Sequence, residues 1–482
     1  MATRFFNTLT RKIQPFRPMH DKKVSIYTCG PTVYYYAHIG NLRSYIFADL
    51  LRRFLEFSGF TVKAIVNFTD VGHLVSDADT GDDKMEVGAK REHKTAWKIA
   101  DFYIDVFKSD VGKLHIKPPS IWCRATEHIN EMIELIKKLE KKGFTYHTDD
   151  GIYFDTSKLN NYGELAGLKK AQIKPGARVE IVSGKRNPTD FALWKFSPPD
   201  KKRQMEWQSP WGIGFPGWHI ECSAMSMKYL GKTFDIHTGG IDHINIHHPN
   251  EIAQSEAATG KKFVNYWLHN EFMNVNGEKI AKSLGNFYTL SDLAKKGFSP
   301  LAFRYLCMSS HYRSPINFSF ESLKKAEQTV QNINEFVRCV KDLMYTTKAK
   351  TNKKLISLIC THRKKIVGFL SDDLNTPQAL AEMHDMMKLV NKCINDNKAD
   401  KKFLKEAYSL MLDMNKMFDF LLEEGKLTVK EKNLIEKREN ARKQKNYNKS
   451  DEIRLRLKEM GIILEDTPRG VRWKKARKNE KP

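Results

Sequence analysis

The chain has 482 residues, 41% of them hydrophobic and 11% aromatic, which excludes a lone small binding module and calls for two or three domains. No stretch approaches the roughly 20 unbroken apolar residues of a membrane-spanning helix, so no membrane partner is expected. Lys and Arg number 81 against 57 Asp and Glu, a formal charge of +24 that favours a polyanionic partner, nucleic acid first.

In chain order, the first twenty residues carry Arg4, Arg11, Lys12 and Arg17 and no acid. They lack a long amphipathic apolar face and are read as part of the folded protein rather than as a transit peptide. Val24 to Thr28 is a β-branched and aromatic run that stops at Cys29-Gly30-Pro31, hence a buried strand and a turn. From Leu42, the apolar residues Ile46, Phe47, Leu50, Leu51, Phe54 and Leu55 recur at helical spacing until Gly59. Thr61 to Phe68 is strand-like again. Strand, helix and strand in this order predict a βαβ crossover, and so a parallel sheet whose ligands sit beyond the carboxyl ends of its strands, where Cys29 and Asp70 fall.

Residues 90–200 mix helical runs such as Ile129 to Leu139 with the strand-like Gly151 to Asp155, and are read as an insertion between two halves of the sheet. Strand character returns at Thr233 to Ile236 and at Phe263 to Leu268, around a helix that Pro249 opens and Gly260 closes. Beyond residue 320, Leu323, Ala326, Val330, Ile333, Val337, Val340 and Met344 form one helical stripe, with others at Ala379 to Ile394 and Phe403 to Leu422, as in a helix bundle. From Lys430 onward there are 18 Lys and Arg against 9 Asp and Glu, a net +9. Trp473 among Arg469, Arg472, Lys474 and Lys475 is the mixture of cations and flat ring that neutralises phosphates and stacks a base.

Three constellations carry chemistry. His38-Ile39-Gly40-Asn41 lies between a strand end and a helix start, where free N–H groups and the helix dipole favour phosphate; Gly40 permits close approach, and His38 and Asn41 add donors. Lys279 and Lys282, in a Gly-bounded polar loop after a strand, suit a leaving pyrophosphate, because two ammonium groups close on it as charge develops. Either signal alone is weak; together, one in each half of a parallel sheet, they are specific. The third is metal-like: Cys29, Cys222 and the run HTGGIDHINIHHPNE, in which His247 and Glu251 are four apart. Two thiolates, an imidazole and a carboxylate suit zinc better than magnesium. From spacing alone His237, His243 and His248 compete with His247 for the imidazole position. The seven cysteines are scattered without a CxxC pair, which argues for a reducing compartment, and the other five are read as core thiols.

In order, these segments resemble the cysteinyl-tRNA synthetase family of class I aminoacyl-tRNA synthetases over nearly the whole chain. FFNTLTRK resembles the family's opening segment, YTCGPTVYYYAHIGNLRSY its first strand and HIGH-type motif, and PGWHIECSAM and HHPNEIAQ its metal-binding segments. KIAKSLGNF resembles the KMSKS-type loop, while DDLNTPQAL, ARKQKNYNKSDEIRLRLKEMGIILED and RGVRW resemble the helical and anticodon-side regions. The resemblance implies an α/β fold: a Rossmann-like parallel-sheet catalytic domain over residues 1–310 with an insertion at about 90–200, a stem-contact and α-helical bundle region over 311–425, and a small basic C-terminal anticodon-binding domain over 426–482. It implies one zinc ion per chain on Cys29, Cys222, His247 and Glu251, an amino-acid pocket lined by Thr32, Trp218 and His237, and adenosine beside Gly239, Gly240 and Asp242.

The activity so implied is activation of L-cysteine by ATP, with magnesium accompanying the nucleotide, followed by transfer to tRNA(Cys) in the cytoplasm. His38, Gly40 and Asn41 would attend the phosphates, Lys279 and Lys282 the departing pyrophosphate, and Arg469, Arg472, Trp473 and Lys474 the tRNA. Rejecting serine about 10⁴-fold takes roughly 5.5 kcal/mol, which a metal–thiolate bond supplies and one small contact does not, so no editing domain is required. The chain departs from the family's commonest pattern at Asn41, where His is usual, and in KIAKS, where Ile280 and Ala281 replace Met and Ser. HTGGIDH and HHPNE also differ from the commoner HGGGSD and HHENE forms. Two other readings are a cysteine ligase with an amino-sugar acceptor, against which the basic C-terminal region argues, and a non-catalytic RNA-binding paralogue, against which the retained nucleotide and metal residues argue.

Overall fold

The computed structural model describes residues 2–72, 83–167, 184–198, 202–421, 427–467 and 470–475, in two compact units, Met1–Phe420 and Leu421–Pro482. The first unit is built on a five-stranded, wholly parallel sheet formed by β1 (Lys23–Thr28), β2 (Thr61–Phe68), β3 (Ile121–Arg124), β4 (Phe234–Gly240) and β5 (Val264–Asn270), in the order β5-β4-β1-β2-β3. The strand order reverses beside β1, and that switch point opens a crevice at the carboxyl ends of β1 and β4.

Helix α1 (Ile39–Phe57) connects β1 to β2 and begins three residues before the apolar pattern at Leu42, because His38 caps it. Its buried stripe includes Leu42, Ile46, Leu50 and Phe54. Gly59, at φ 91°, turns the chain into β2. Two buried arginine networks hold this helix. Arg43 donates to the carbonyls of Phe272, Tyr312 and Ser314. Asp49 accepts from Arg53 Nε at 2.8 Å and from Arg304 Nη2 at 2.5 Å. Arg304 is 0% exposed, so Arg304→Leu removes half of a buried charge arrangement and should lower unfolding stability by about 3 kcal/mol, read from urea titration.

Strand β3 lies inside the span read as an insertion, and it pairs with β2 from Ile65↔Ile121 to Phe68↔Arg124. Four residues after a Pro-Pro pair carry too little alternation to be read as a sheet strand. The added module is instead an antiparallel sheet of Thr145–Thr148, Gly151–Phe154, Phe191–Phe196 and Gly214–Pro216, which runs past residue 200. Its Phe154 and Trp194 join the core that β1 and β5 form through Tyr27 and Trp267. Helix α2 (Trp218–Leu230) enters β4, and α3 (His247–Thr259) leads to β5, ending at Gly260 with φ 67°. Pro249 is the third residue of α3 rather than its first. The N-terminal segment forms two paired strands, Arg4–Asn7 and Lys12–Pro15, and Asn7 bonds Asn265 and Trp267 on the edge strand β5, so it belongs to the fold.

Four long helices follow, Phe320–Thr346, Lys353–Ser371, Thr376–Asn395 and Lys401–Phe418. In the first of them Phe336 is buried and Val337 is not. The second unit contains helices Val429–Lys443 and Tyr447–Glu459 and the hairpin Ile462–Thr467 with Gly470–Lys475, around Ile453, Leu457, Ile462 and Leu464.

Candidate active site and metal centre

The turn before α1 is locked by a reciprocal cap. His38 Nδ1 accepts the Asn41 N–H at 3.2 Å, and Asn41 Oδ1 accepts the His38 N–H at 3.2 Å. With Nδ1 an acceptor, the imidazole proton sits on Nε2. Burial pushes the His38 pKa down to about 4, so near neutrality the ring is an uncharged donor. Asn41, its oxygen used in the cap, keeps its amide N–H₂. A Cβ on Gly40 would lie 2.9 Å from the His38 ring and 3.0 Å from Ile280 Cδ1, so the glycine lets the turn touch the KIAKS loop as well as a ligand.

That loop is tied to the turn by the Ile39 N–H, which donates to the Tyr288 carbonyl at 2.9 Å. Lys279 lies on a two-residue strand paired with Met273–Val275, and Lys282 opens a 3₁₀ turn ending at Gly285. Asn286 fastens the loop on itself, accepting the Ala281 N–H at 2.8 Å and donating to the Lys279 carbonyl at 3.0 Å. Lys282 Nζ sits 3.1 Å from the Tyr35 ring centroid, with the Arg91 guanidinium 4.6 Å from the same ring. Burial and then Arg91 lower the Lys282 pKa. Sequence reasoning missed Tyr35 and Asn286; the Tyr34-Tyr35-Tyr36 run beside the HIGN turn was the signal for the first.

Both lysines line one cavity of about 500 Å³ with His38, Gly40, Asn41, Thr32, Trp218, Gly239, Gly240, Asp242, Cys29, Cys222 and His247. Thus every proposed nucleotide and pocket residue except His237 borders the same space. His237 is fully buried beneath it, stacked on Trp267 at 4.7 Å. A Cβ on Gly239 would stand 2.6 Å from His243 Nδ1 and 2.7 Å from His248 Cε1, which explains the glycine there.

At the floor, Cys29 follows β1, Cys222 is one turn into α2, and His247 and Glu251 share one face of α3. Their ligand atoms all lie within 4.8 Å of one another. Cys29 Sγ is 3.8 Å from Cys222 Sγ and 3.7 Å from Glu251 Oε1, and His247 Nε2 is 3.0 Å from Glu251 Oε1. Two sulfurs, a nitrogen and an oxygen converging from three elements are a donor set that fits zinc. Hydrogen bonding from Cys29 lowers the Cys222 thiol to about 7. Burial raises the Cys29 thiol. Burial opposes charge on His247, but Cys222 and Glu251 prevail and push it up to about 10. Burial likewise opposes charge on Glu251, and His237 with His247 pulls it down to about 2. The cluster therefore draws a positive charge inward, the role a metal takes by displacing the His247 proton. His219 Nδ1, 2.9 Å from His247 Nδ1, orients that ring and leaves Nε2 toward the centre. Sequence reasoning did not single out His219, although it lies in the WHIEC segment three residues before Cys222.

In the second unit, Arg469 lies outside the described residues. Arg472 and Lys474 occupy alternate positions on the strand Gly470–Lys475. Trp473 packs its half-buried ring on the apolar cluster around Leu457, so much of it is core. The more open ring is Tyr447, 59% exposed at the start of a helix; its stretch RKQKNYNK lies in a segment quoted for the resemblance, but sequence reasoning did not single out the ring.

Residues 15–328 match the family of tRNA synthetases class I (C), catalytic domain, and residues 369–423 match the DALR domain. The chain is similar to the cysteine–tRNA ligase of Treponema denticola, 44% identical over 492 residues covering 98% of this chain and 100% of that one. It is 40% identical to that of Thermococcus gammatolerans over 98% of this chain and 99% of the relative. Among solved structures, Mycobacterium tuberculosis methionyl-tRNA synthetase in complex with methionyl-adenylate has a similar fold, with a TM-score of 0.62 at 14% identity over 82% of this chain and 92% of that one.

Proposed function

The chain belongs to the cysteine–tRNA ligase family, and from that premise we infer how its own residues activate L-cysteine with ATP and charge tRNA(Cys). The observation that carries the reading is the convergence of the HIGN turn, the KIAKS lysines and the Cys29, Cys222 and His247 floor on one cavity. His38 donates through Nε2–H and Asn41 through its amide to the α-phosphate as the cysteine carboxylate attacks it in line. Lys279 and Lys282 take the charge gathering on pyrophosphate as the P–O bond breaks. Magnesium accompanies the nucleotide.

Cys29, Cys222, His247 and Glu251 would hold zinc, and a bound zinc would supply a centre that favours the deprotonated form of a thiol, whose pKa is otherwise roughly 8.5. Thr32 and Trp218 enclose the amino acid, with His237 supporting the floor through Glu251, and Gly239, Gly240 and Asp242 border adenosine. The basic second unit engages tRNA, with Arg469, Arg472 and Lys474 on phosphates and the rings of Trp473 and Tyr447 on bases. Seven free cysteines support a cytoplasmic setting.

Cysteine-dependent exchange of labelled pyrophosphate into ATP tests the first half-reaction, and charging of tRNA(Cys) tests the second. Exchange without charging would favour an amino-sugar acceptor, and neither would favour an RNA-binding paralogue. A chain ending at Phe420 should still exchange pyrophosphate but charge tRNA with a KM raised roughly tenfold or more. Tyr447→Ala in the full chain should lose roughly 1–3 kcal/mol of tRNA affinity without altering the salt slope, since it removes a ring and no cation.

A further inference from the structure

The floor of the cavity carries more ligand atoms than one ion uses. Cys29, His237, His248 and Glu251 bring one donor atom each within 4.8 Å of one another, as the first set does, and all four are buried. Glu251 divides between the sets: Oε1 lies 3.0 Å from His247 Nε2, while Oε2 lies 3.0 Å from His237 Nε2. His248 Nε2 is 3.4 Å from Cys29 Sγ and 3.8 Å from Glu251 Oε1.

The second pair of imidazoles is also furnished with outer partners. A histidine that gives the Nε2 lone pair to a cation carries its proton on Nδ1 and needs an acceptor there. His248 Nδ1 is 2.7 Å from His269 Nε2, and His269 Nδ1 is 2.8 Å from Thr8 Oγ1, so each ring can donate from Nδ1 to the next group. His237 Nδ1 is 3.3 Å from the Thr238 carbonyl. One thiolate and one carboxylate with two neutral imidazoles balance a dication, and all four residues are buried.

We propose that Cys29, His237, His248 and Glu251 form a second metal seat for a borderline-soft divalent cation, overlapping the first and filled in exchange with it. Shared Cys29 and Glu251 allow one ion at a time. When Cys222 or His247 is withdrawn, the ion moves to the histidine side instead of leaving. The inference rests on the zinc reading of the first seat through those two shared ligands.

The test uses the full chain dialysed against buffered zinc, and separately against cobalt(II), with metal measured directly. The unaltered protein should bind one ion. Cys222→Ser should keep close to one, with affinity in chelator competition weaker by roughly 10²-fold and the thiolate-to-cobalt absorption per ion about halved. Cys222→Ser/His248→Ala should lose it. His247→Gln is read in the same way, which covers the case in which either single variant fails to fold. Cys222→Ser and His247→Gln as metal-free as the double variant would overturn the second seat alone; an unaltered protein that takes no metal would overturn both seats.

Discussion

Cys29→Ala should abolish metal binding and reduce kcat/KM for cysteine-dependent pyrophosphate exchange by about 10⁴, roughly 5.5 kcal/mol. Cys29 belongs to both donor sets, 3.8 Å from Cys222 and 3.4 Å from His248, so neither seat survives its loss. Without the ion, the substrate sulfur would be an ordinary thiol, and the preference for cysteine over serine should collapse by a similar factor. ATP binding should persist, because the HIGN turn is held to the end of the KIAKS loop through the Ile39 N–H and the Tyr288 carbonyl, a bond that does not involve Cys29. Metal analysis and exchange assays with both amino acids check this. Retained metal together with a normal cysteine rate would sink the assignment of Cys29.

Lys282→Ala should lower kcat for pyrophosphate exchange by roughly 10² to 10³ with little change in the KM for cysteine. The ammonium rests on the Tyr35 ring, where burial and Arg91 both disfavour its charge. An arriving polyphosphate reverses that balance, and the interaction grows as pyrophosphate gathers charge, so its loss falls on the transition state. The measurement is pre-steady-state adenylate formation at saturating ATP and cysteine. A raised KM with an unchanged rate constant would show that Lys282 only binds ground-state ATP.

Much of the architecture was legible because its signals are local. The β-branched runs at Val24 to Thr28 and Thr61 to Phe68 are strands, and the apolar stripe after the HIGN turn is a helix ending before Gly59. The cap at His38 moved that helix start only because its two hydrogen bonds, invisible to periodicity, outweigh the apolar pattern as a boundary. Strand β3 was lost to the insertion because its identity is conferred by pairing with β2 rather than by its own four residues. Trp473 drew attention by composition, yet the hairpin turns its ring toward Leu457, and the exposed ring among lysines is Tyr447.

The sequence by itself determined the residue types of the chemistry: a glycine and two donors at a helix start, two lysines on a loop, and thiol, imidazole and carboxylate groups on three segments. Which imidazole faces which sulfur was decided only by the tertiary structure. Cys29 and Cys222 are 193 positions apart and meet because β1 and β4 are adjacent and parallel, with α2 feeding the second of them. Within α3, His247 and His248 differ by one residue and hence by about 100° around the helix, which sends one toward Cys222 and His219 and the other toward Cys29 and His269. Spacing along the chain encodes that rotation, but only the register of the sheet fixes what each ring meets.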